Sequence, residues 1–127
     1  MNKVYNPQTV FAAPSYSHGI EAPPNSRILY IAGQVGVGLD GKVREGTAAQ
    51  AAQVWANILN VLAAAGMGPE HLLKITTFII DEADVPVVRE ARAKALGTVK
   101  PASTLLVIKA LANPEYRVEI EAVAAKS

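Results

Sequence analysis

The amino-acid sequence predicts an α+β fold in which a β-sheet carries two helices. Two segments have the apolar spacing of amphipathic helices, and several short segments rich in β-branched residues have the composition of strands. Clusters of Gly, Pro, Asn and Ser separate these segments. The chain has 127 residues, of which 50% are apolar, and we expect a single domain over residues 1–127.

The N-terminal third predicts short strands and one hairpin. The first 26 residues are rich in Pro, Asn, Ser and Gly, a composition that disfavours helix. The run RILYIAGQV at 27–35 predicts a strand, because β-branched and aromatic residues dominate its start. The dipeptide Asp40-Gly41 predicts a type I′ hairpin turn and a short returning segment after that strand.

The first helix is predicted between Thr47 and Gly66. Its apolar residues recur at the spacing of one helical face, and Trp55 is among them, which indicates a core position. Thr47 is the predicted N-cap, because its hydroxyl can accept a backbone hydrogen bond. Gly66 is the predicted residue just beyond the end of the helix.

The C-terminal half predicts a strand, a helix and two further strands. The segment LLKITTFIID at 72–81 has strand composition, and VPVVREARAKAL at 85–96 predicts a helix that ends at Gly97. The segments 103–111 and 116–124 predict the last two strands, and a turn containing proline separates them.

The predicted sheet has two apolar faces. In the strands at 27–35 and 103–111, neither set of alternating side chains is polar. Two helices can cover only one face, and an exposed apolar face of this size would aggregate. We therefore expect an obligate homo-oligomer with a pocket where subunits meet. The alternative is a thin β-layer that the N-terminal segment covers.

Composition excludes several classes of site. Because the chain has no Cys, a disulfide framework, a thiol nucleophile and a thiolate metal site are excluded, and His18 and His71 are too few for a His-rich metal site. The net charge of +1 does not favour nucleic-acid binding through bulk charge. No segment has the pattern of a membrane span or a secretory signal, so we expect a cytoplasmic protein with no membrane partner.

Five segments together resemble one protein family. They occur in the family's order and extend over nearly the whole chain, from about Tyr5 to Ala124: PSYSHGIE at 14–21, ILYIAGQV at 28–35, LLKITTFIID at 72–81, PASTLLV at 101–107 and VEIEAVA at 118–124. No single segment is specific, but the ordered set is. The chain is on this ground similar to the Rid (reactive intermediate deaminase) family, also called YjgF-like.

The resemblance implies a chorismate-mutase-like fold of the AroH class, with a mixed sheet and two helices on one face. It also implies a homotrimer in which the sheets form a central β-barrel and three clefts lie between subunits. In active members these clefts hydrolyse small enamines and imines, such as 2-aminoacrylate, to a 2-oxo acid and ammonia. No metal or cofactor is implied.

The family's site residues are carried over where the motifs match. Glu119 matches the glutamate that positions the attacking water, and Tyr16 matches a tyrosine that lines the cleft. The positions that correspond to substrate binding are Gly33, Gln34, Phe78, Ala102, Ser103 and Thr104. Imine hydrolysis needs water delivered to carbon and a proton supplied to nitrogen, so a carboxylate near neutral polar groups is a workable minimal set.

Ala102 departs from the family pattern. Deaminase members carry an arginine directly before the matched Ser, and a guanidinium holds a carboxylate through a bidentate charged pair. Alanine offers no donor, so we expect imines that bear a carboxylate to bind poorly. Lys100, Lys109 and Arg117 are nearby in sequence, but the sequence does not show whether any of them replaces the arginine.

The candidate residues also have structural interpretations. Glu119 as a surface residue would pair with Arg117 or with a neighbouring strand. Tyr16 as a structural residue would have a satisfied hydroxyl, and a lone His18 in an N-terminal loop is more often structural than catalytic. Gly33, followed by Gln34, is equally consistent with a bulge at the end of a strand.

Two other functions are alternatives to imine deamination. The same cleft would suit a non-catalytic module that binds a small metabolite or regulates a partner. The third hypothesis is ribonuclease activity. The net charge near zero and the lack of a catalytic His pair argue against specific RNA cleavage.

Overall fold

The strands and helices of the computed structural model follow the predicted order, and all 127 residues are described. In chain order they are β1 (Lys3–Tyr5), β2 (Gly19–Glu21), β3 (Arg27–Val35), α1 (Thr47–Ala64), β4 (Leu72–Ile79), α2 (Val85–Leu96), β5 (Ala102–Val107) and β6 (Val118–Lys126). Single turns of 3-10 helix lie at Pro69–His71 and Glu82–Asp84. Neither α-helix is long and apolar enough to cross a lipid bilayer.

Four strands form one mixed sheet in the order β3-β6-β4-β5. β6 is antiparallel to both of its neighbours, whereas β4 and β5 are parallel. A parallel pair requires a crossover connection, and α2 supplies it between β4 and β5. β1 and β2 form a separate antiparallel pair. The predicted α+β class with two helices on a mixed sheet is therefore confirmed.

Both helices pack on one face of the sheet. Alternate residues of β4 and β6 point into this layer, because strand side chains alternate between faces. Trp55 of α1 is buried there, as its helical spacing predicts. The other large side chains fully buried in this core are Val54, Ile58, Leu62, Leu72, Ile75, Ile79, Val118 and Ile120.

The helix ends agree with the sequence prediction except at Thr47. Gly66 and Gly97 follow α1 and α2 with φ of 71° and 59°, left-handed values that glycine adopts without strain. The prediction of Thr47 as the N-cap is wrong, because Gly46 occupies that position without a side-chain cap. The Thr47 hydroxyl instead donates to the carboxylate of Asp84 at 2.9 Å and joins the starts of the two helices.

The turn after β3 is a hairpin turn, but not of the predicted type. A type I′ turn needs positive φ at both central residues. Gly41 has φ of 77°, whereas Asn25 is the only non-glycine residue with positive φ, so Asp40 does not qualify. The Asp40 carboxylate accepts from the backbone N–H of Lys42 at 3.0 Å, and this contact stabilises the alternative turn.

The strand predicted at 103–111 is shorter in the structure. β5 ends at Val107, and the N–H of Ile108 makes the last hydrogen bond, to the carbonyl of Ile79. Because Ile79 is also the last residue of β4, no partner is available beyond it. Lys109 is therefore outside the sheet and exposed.

β3 contains an irregularity that strict alternation does not predict. Ile31 lies opposite Ala122, and the next paired residue, Gln34, lies opposite Ile120. One extra residue of β3 is accommodated between these pairs, which is the signature of a β-bulge. The predicted alternation of β3 side chains is therefore wrong after Ile31.

The face of the sheet opposite the helices, called the open face below, is not covered by the chain. Tyr30 is 80% exposed, Ile28 48% and Leu106 43%. The N-terminal segment lies instead at the start of β5, where the N–H of Ser17 donates to the carbonyl of Pro101. The alternative in which this segment covers the sheet is therefore wrong. The open face is formed by Ile28, Tyr30, Val35, Lys74, Thr76, Phe78, Ala102, Thr104, Leu106, Glu119, Glu121 and Val123.

Candidate functional site

Glu119 is a carboxylate of the open face, near the end of the sheet where β6 begins and β3 and β4 end. It lies on β6, an inner strand, opposite Val35 of β3 and Phe78 of β4. Phe78 is in turn opposite Leu106 of β5. Because partners across a sheet share a face, Glu119 has apolar neighbours on both sides. The residue is half-buried and takes part in none of the ion pairs of the chain.

The carboxylate of Glu119 packs on the backbone of the β3 bulge. A Cβ atom at Gly33 would collide with Glu119 Oε2, so only glycine permits this close approach. The interpretation of Gly33 as part of a bulge is confirmed, and the bulge positions the Glu119 carboxylate.

The structure shows that Glu119 does not pair with Arg117. The Arg117 guanidinium lies 3.1 Å from the carboxylate of Asp84 and 4.0 Å from that of Asp81, and it also donates to the hydroxyl of Thr47. These contacts hold Arg117 at the start of the helical layer. It is therefore not available to either Glu119 or a ligand on the open face.

Tyr16 is held at the start of β5 by its neighbour in sequence. Ser17 is buried, its hydroxyl donates to the carbonyl of Lys100 at 2.6 Å, and its N–H donates to the carbonyl of Pro101 at 3.2 Å. These two bonds fix the Tyr16 loop beside Ala102, the first residue of β5. The half-buried Tyr16 thus lies at the edge of the sheet that also carries Ala102.

His18 has a structural role in the same loop. Its Nε2 lies 2.6 Å from the carbonyl oxygen of Phe11, so Nε2 carries the proton and donates it in this bond. Its ring meets the rings of Phe11 and Tyr16 edge to face, at centroid distances of 5.0 and 5.5 Å. His18 therefore orders the loop and orients Tyr16.

β5 presents two of its three candidate residues to the open face. Ala102 and Thr104 lie opposite Lys74 and Thr76 of β4, both of which belong to that face. Ser103 lies opposite the fully buried Ile75 and so belongs to the helix-covered side. Ser103 can therefore serve the open face only through its backbone.

Gln34 and Asn57 are engaged in local contacts. The Gln34 amide donates to the carbonyl of Ala32 at 3.0 Å, within the bulge. The Asn57 amide donates to the carbonyls of Val35 and Val37, at 3.2 and 3.1 Å, and so ties α1 to the end of β3. Asn57 is therefore a structural residue, and the Gln34 side chain does not lie beside Glu119.

Lys74 is a cation of the open face that the sequence prediction missed. It lies on β4 directly opposite Ala102, and its ammonium donates to the Thr104 hydroxyl at 2.6 Å. Two of the cations considered from sequence, Lys100 and Lys109, are exposed. The sequence feature that could have identified Lys74 is its position as the one charged residue of the strand β4.

The open face thus combines a carboxylate, threonine hydroxyls and one ammonium with apolar and aromatic neighbours. The carboxylate of Glu119 can accept a proton from water, and the hydroxyls of Tyr16 and Thr104 can donate to or accept from a small ligand. No group of three or more His, Cys, Asp or Glu side chains in the structure could hold a metal ion.

Comparisons with known proteins agree with this architecture. The family model described as Endoribonuclease L-PSP matches residues 7–126. Protein HMF1 of Saccharomyces cerevisiae is 34% identical over 116 residues, covering 91% of this chain and 87% of the yeast protein. A RutC family protein of Aquifex aeolicus is 30% identical over 127 residues, covering 97% of this chain and 99% of that protein.

Solved structures show the same fold. The structure of YyfB from Yersinia pestis, a Rid family protein described as of unknown function, superposes with a TM-score of 0.86 at 31% identity and covers 98% of both chains. The sheet order, the two helices on one face and the polar groups on the other define the class of YjgF-like α+β proteins. The chain belongs to the Rid family, whose matching model is described as Endoribonuclease L-PSP. The predicted family membership is confirmed.

Proposed function

We propose that this protein is a cofactor-independent hydrolase of small imines or enamines, and that its sites form where the open faces of three copies meet. The observation that carries the proposal is the placement of Glu119. Its carboxylate rests on Gly33, forms no ion pair and has apolar neighbours across the sheet. A carboxylate in such surroundings is suited to hold and activate a single water molecule.

The exposure of the open face supports an assembly. Tyr30 and Ile28 on β3 and Leu106 on β5 are apolar or aromatic side chains that the chain leaves exposed on the two edge strands of the sheet. Burying an apolar side chain of this size contributes about 1.5 to 3 kcal/mol, so covering the face with further copies is favourable. The number of three copies rests on the resemblance to trimeric family members.

The proposed reaction begins with water held by Glu119. The carboxylate takes a proton from the water as its oxygen bonds to the imine carbon, and the nitrogen takes up a proton, which gives a carbinolamine. The carbon–nitrogen bond then breaks, ammonia leaves, and the hydroxyl loses its proton to become a carbonyl. One water is consumed, and one carbonyl compound and one ammonia are formed.

Other residues would shape the cleft around these atoms. Tyr16, oriented by His18, lies beside Ala102, whereas Glu119 is level with Leu106 four residues further along β5. It would therefore hydrogen-bond the ligand or the water from a neighbouring copy of the chain. Phe78 would form an apolar wall beside Glu119, and the backbone at Ser103 and the hydroxyl of Thr104 would offer polar contacts. A covering subunit would exclude bulk water, which strengthens each of these interactions.

RNA cleavage is not part of this proposal, although the matching family model is described as an endoribonuclease. His18 donates to the carbonyl of Phe11, and His71 Nδ1 accepts the N–H of Gly68 at 2.9 Å. The two imidazoles are thus committed to different loops and do not form a general acid–base pair.

The test is hydrolysis of an imino acid that an amino-acid oxidase generates in situ, followed as loss of the imine. Glu119→Ala is compared with Glu121→Ala, which removes a carboxylate two residues away on the same face. We expect Glu119→Ala to lower the rate by roughly 100-fold or more and Glu121→Ala to change it by less than about threefold.

Two results would contradict the proposal. One is equal activity of the Glu119→Ala variant and the wild type. The other is an inactive wild type in which only Ala102→Arg creates activity, since the cleft would then serve a different ligand and the non-catalytic binding alternative would hold.

A further inference from the structure

Gln50 of α1 is a buried polar side chain that the proposed reaction does not use. It is 2% exposed, and both of its N–H groups and its carbonyl oxygen are bonded to backbone atoms. The N–H groups donate to the carbonyl of Arg44 at 3.0 Å and to that of Glu115 at 2.9 Å. The side-chain oxygen accepts the N–H of Arg117 at 2.8 Å. Gln50 therefore joins the helix to two separate loops.

Two of these bonds hold the segment that leads into β6. Arg117 directly precedes Val118, the first residue of β6, and Glu119 is the second residue of that strand. The backbone position of Arg117 therefore determines where β6 begins and where the side chain of Glu119 leaves the strand. Because a buried polar group without a partner is costly, the Gln50 amide gives this segment one favoured position.

Gln50 also packs on the chain that follows β3. A Cβ atom at Gly36 would collide with the Cβ and Cγ atoms of Gln50, so the backbone lies directly against that side chain. Gly36 follows Val35, which is the residue opposite Glu119. Asn57, on the same helix, donates to the carbonyl of Val35 at 3.2 Å. One helix thus holds the end of β3 and the start of β6, the two strand segments that meet at Glu119.

We propose that Gln50 is a positioning residue for Glu119. By fixing the start of β6 relative to the end of β3, its amide keeps the Glu119 carboxylate against the backbone of Gly33. The inference rests on the proposed function for its effect on rate, because Glu119 is the group that activates water there. A catalytic group must be held to well within about 1 Å of its productive position, and supporting hydrogen bonds of this kind provide that precision.

The test variant is Gln50→Met, which keeps the length of the side chain and removes its hydrogen bonds. Gln53→Met is the matched control, because Gln53 is on the same helix and its amide bonds only the side chains of Arg44 and Asn57. Gln50→Asn, whose amide is one methylene group shorter, is the second variant and decides by the same criterion if Gln50→Met does not fold. Circular dichroism establishes which variants are folded.

The position of the carboxylate is measured by NMR, independently of activity. The protein is prepared with isotope-labelled glycine, and the backbone N–H resonance of Gly33 is followed across the pH range in which carboxylates ionise. Gly33→Ala identifies the resonance. Glu119→Gln identifies the part of its response that comes from the Glu119 carboxylate. Imine hydrolysis is measured in parallel for the same variants.

The Gly33 resonance of the wild type should move as Glu119 ionises, because the carboxylate lies against this residue. Gln50→Met should lose most of this response, and Gln53→Met should retain it. In imine hydrolysis, Gln50→Met should lower kcat by roughly 10- to 100-fold at unchanged KM, since a displaced catalytic group weakens the transition state alone. Added to Glu119→Ala, it should cause no further loss of rate.

Three outcomes would overturn the inference. The first is a Gly33 response in the folded Gln50 variant that is as large as in the wild type. The second is an equal loss in Gln53→Met, which would assign the effect to the helix as a whole. The third is a wild-type Gly33 response that does not depend on Glu119. Failure of the proposed function is distinguishable, because a wild type without imine hydrolysis contradicts only the reaction, while the Gly33 response still decides the role of Gln50.

Discussion

The two faces of the same sheet differ in how their side chains are buried and paired. On the helix-covered face, the exposed fractions of Ile75 and Ile120 are 0% and 1%, and the chain itself supplies the side chains that bury them. On the open face, the neighbouring residues include an exposed tyrosine, an ammonium without a counter-ion and a carboxylate without a pair. Lys74 and Ile75 are adjacent in sequence and yet belong to these two environments.

The difference between the two faces distinguishes residues that serve folding from residues that serve assembly or ligand binding. Each residue of the helix-covered face is explained by packing within one chain, because closely packed apolar side chains need no further partner. The open face is explained only when something outside the chain is added, whether another copy or a ligand. Substitutions on the first face should therefore change stability, and substitutions on the second should change assembly or chemistry.

The largest expected effect is on the helix-covered face. Ile75→Ala removes a fully buried side chain and should lower the free energy of unfolding by about 2 to 5 kcal/mol. Chemical denaturation followed by circular dichroism measures this loss. Thr76→Ala on the open face is the matched control, and a loss as large as that of Ile75→Ala would show that the two faces do not differ in this way.

A second prediction concerns the bulge. Gly33→Ala places a methyl group where the Glu119 carboxylate lies and should lower imine hydrolysis by roughly 10- to 100-fold, as for a catalytic group displaced by about 1 Å. Gly19→Ala is the control, since a Cβ atom there would be 3.8 Å from its nearest neighbour, Tyr5. Added to Glu119→Ala, the Gly33 substitution should cause no further loss, and a further loss would assign Gly33 another role.

A third prediction concerns the edge of the open face. Ser17→Ala removes the bond to the Lys100 carbonyl and should lower the free energy of unfolding by about 1 kcal/mol. Thermal denaturation compares it with Ser15→Ala, an exposed position two residues earlier. Equal midpoints for the two variants would show that the bond does not hold the Tyr16 loop.

The smallest effect is expected at the hairpin turn, which belongs to neither face. The backbone N–H of Lys42 and then the Arg44 guanidinium hold the pKa of Asp40 below its ordinary value of 3.8. The ionised carboxylate therefore stabilises the fold above that value, and this stabilisation is lost as the pH falls through the lower pKa of the folded state.

Denaturation midpoints across pH test this assignment. Asp40→Asn should be slightly less stable than the wild type at neutral pH, and the difference should disappear in strong acid. The effect is small because the carboxylate is exposed and its ion pair is screened. Glu45→Gln, also exposed, is the control, and a difference that grows in acid would have the wrong sign for this account.

The sequence predicts the helix-covered face well and the open face only in outline. The helical spacing of Val54, Trp55, Ile58 and Leu62 predicts their burial, because the periodicity of a helix is visible in the sequence. Strand alternation likewise predicts a second apolar face. Both rules depend on regular backbone geometry.

Where the backbone is irregular, the sequence prediction fails. The bulge of β3 moves Gln34 away from Glu119, and no composition signal marks the extra residue. Arg117 was a candidate replacement for the missing arginine, but its side chain binds Asp84, a contact between residues 33 positions apart that only the fold reveals. The placement of Lys74 directly opposite Ala102 depends in the same way on strand register.

The central claim is that further copies of the chain cover the open face, and the mass of the protein in solution tests it most directly. Light scattering after size exclusion should give about three times the chain mass of 13.4 kDa for the wild type. Tyr30→Asp, which places a charge on the open face, should give single chains, whereas Leu39→Asp at the fully exposed hairpin should not. A wild type that runs as a single chain at micromolar concentration would contradict the account.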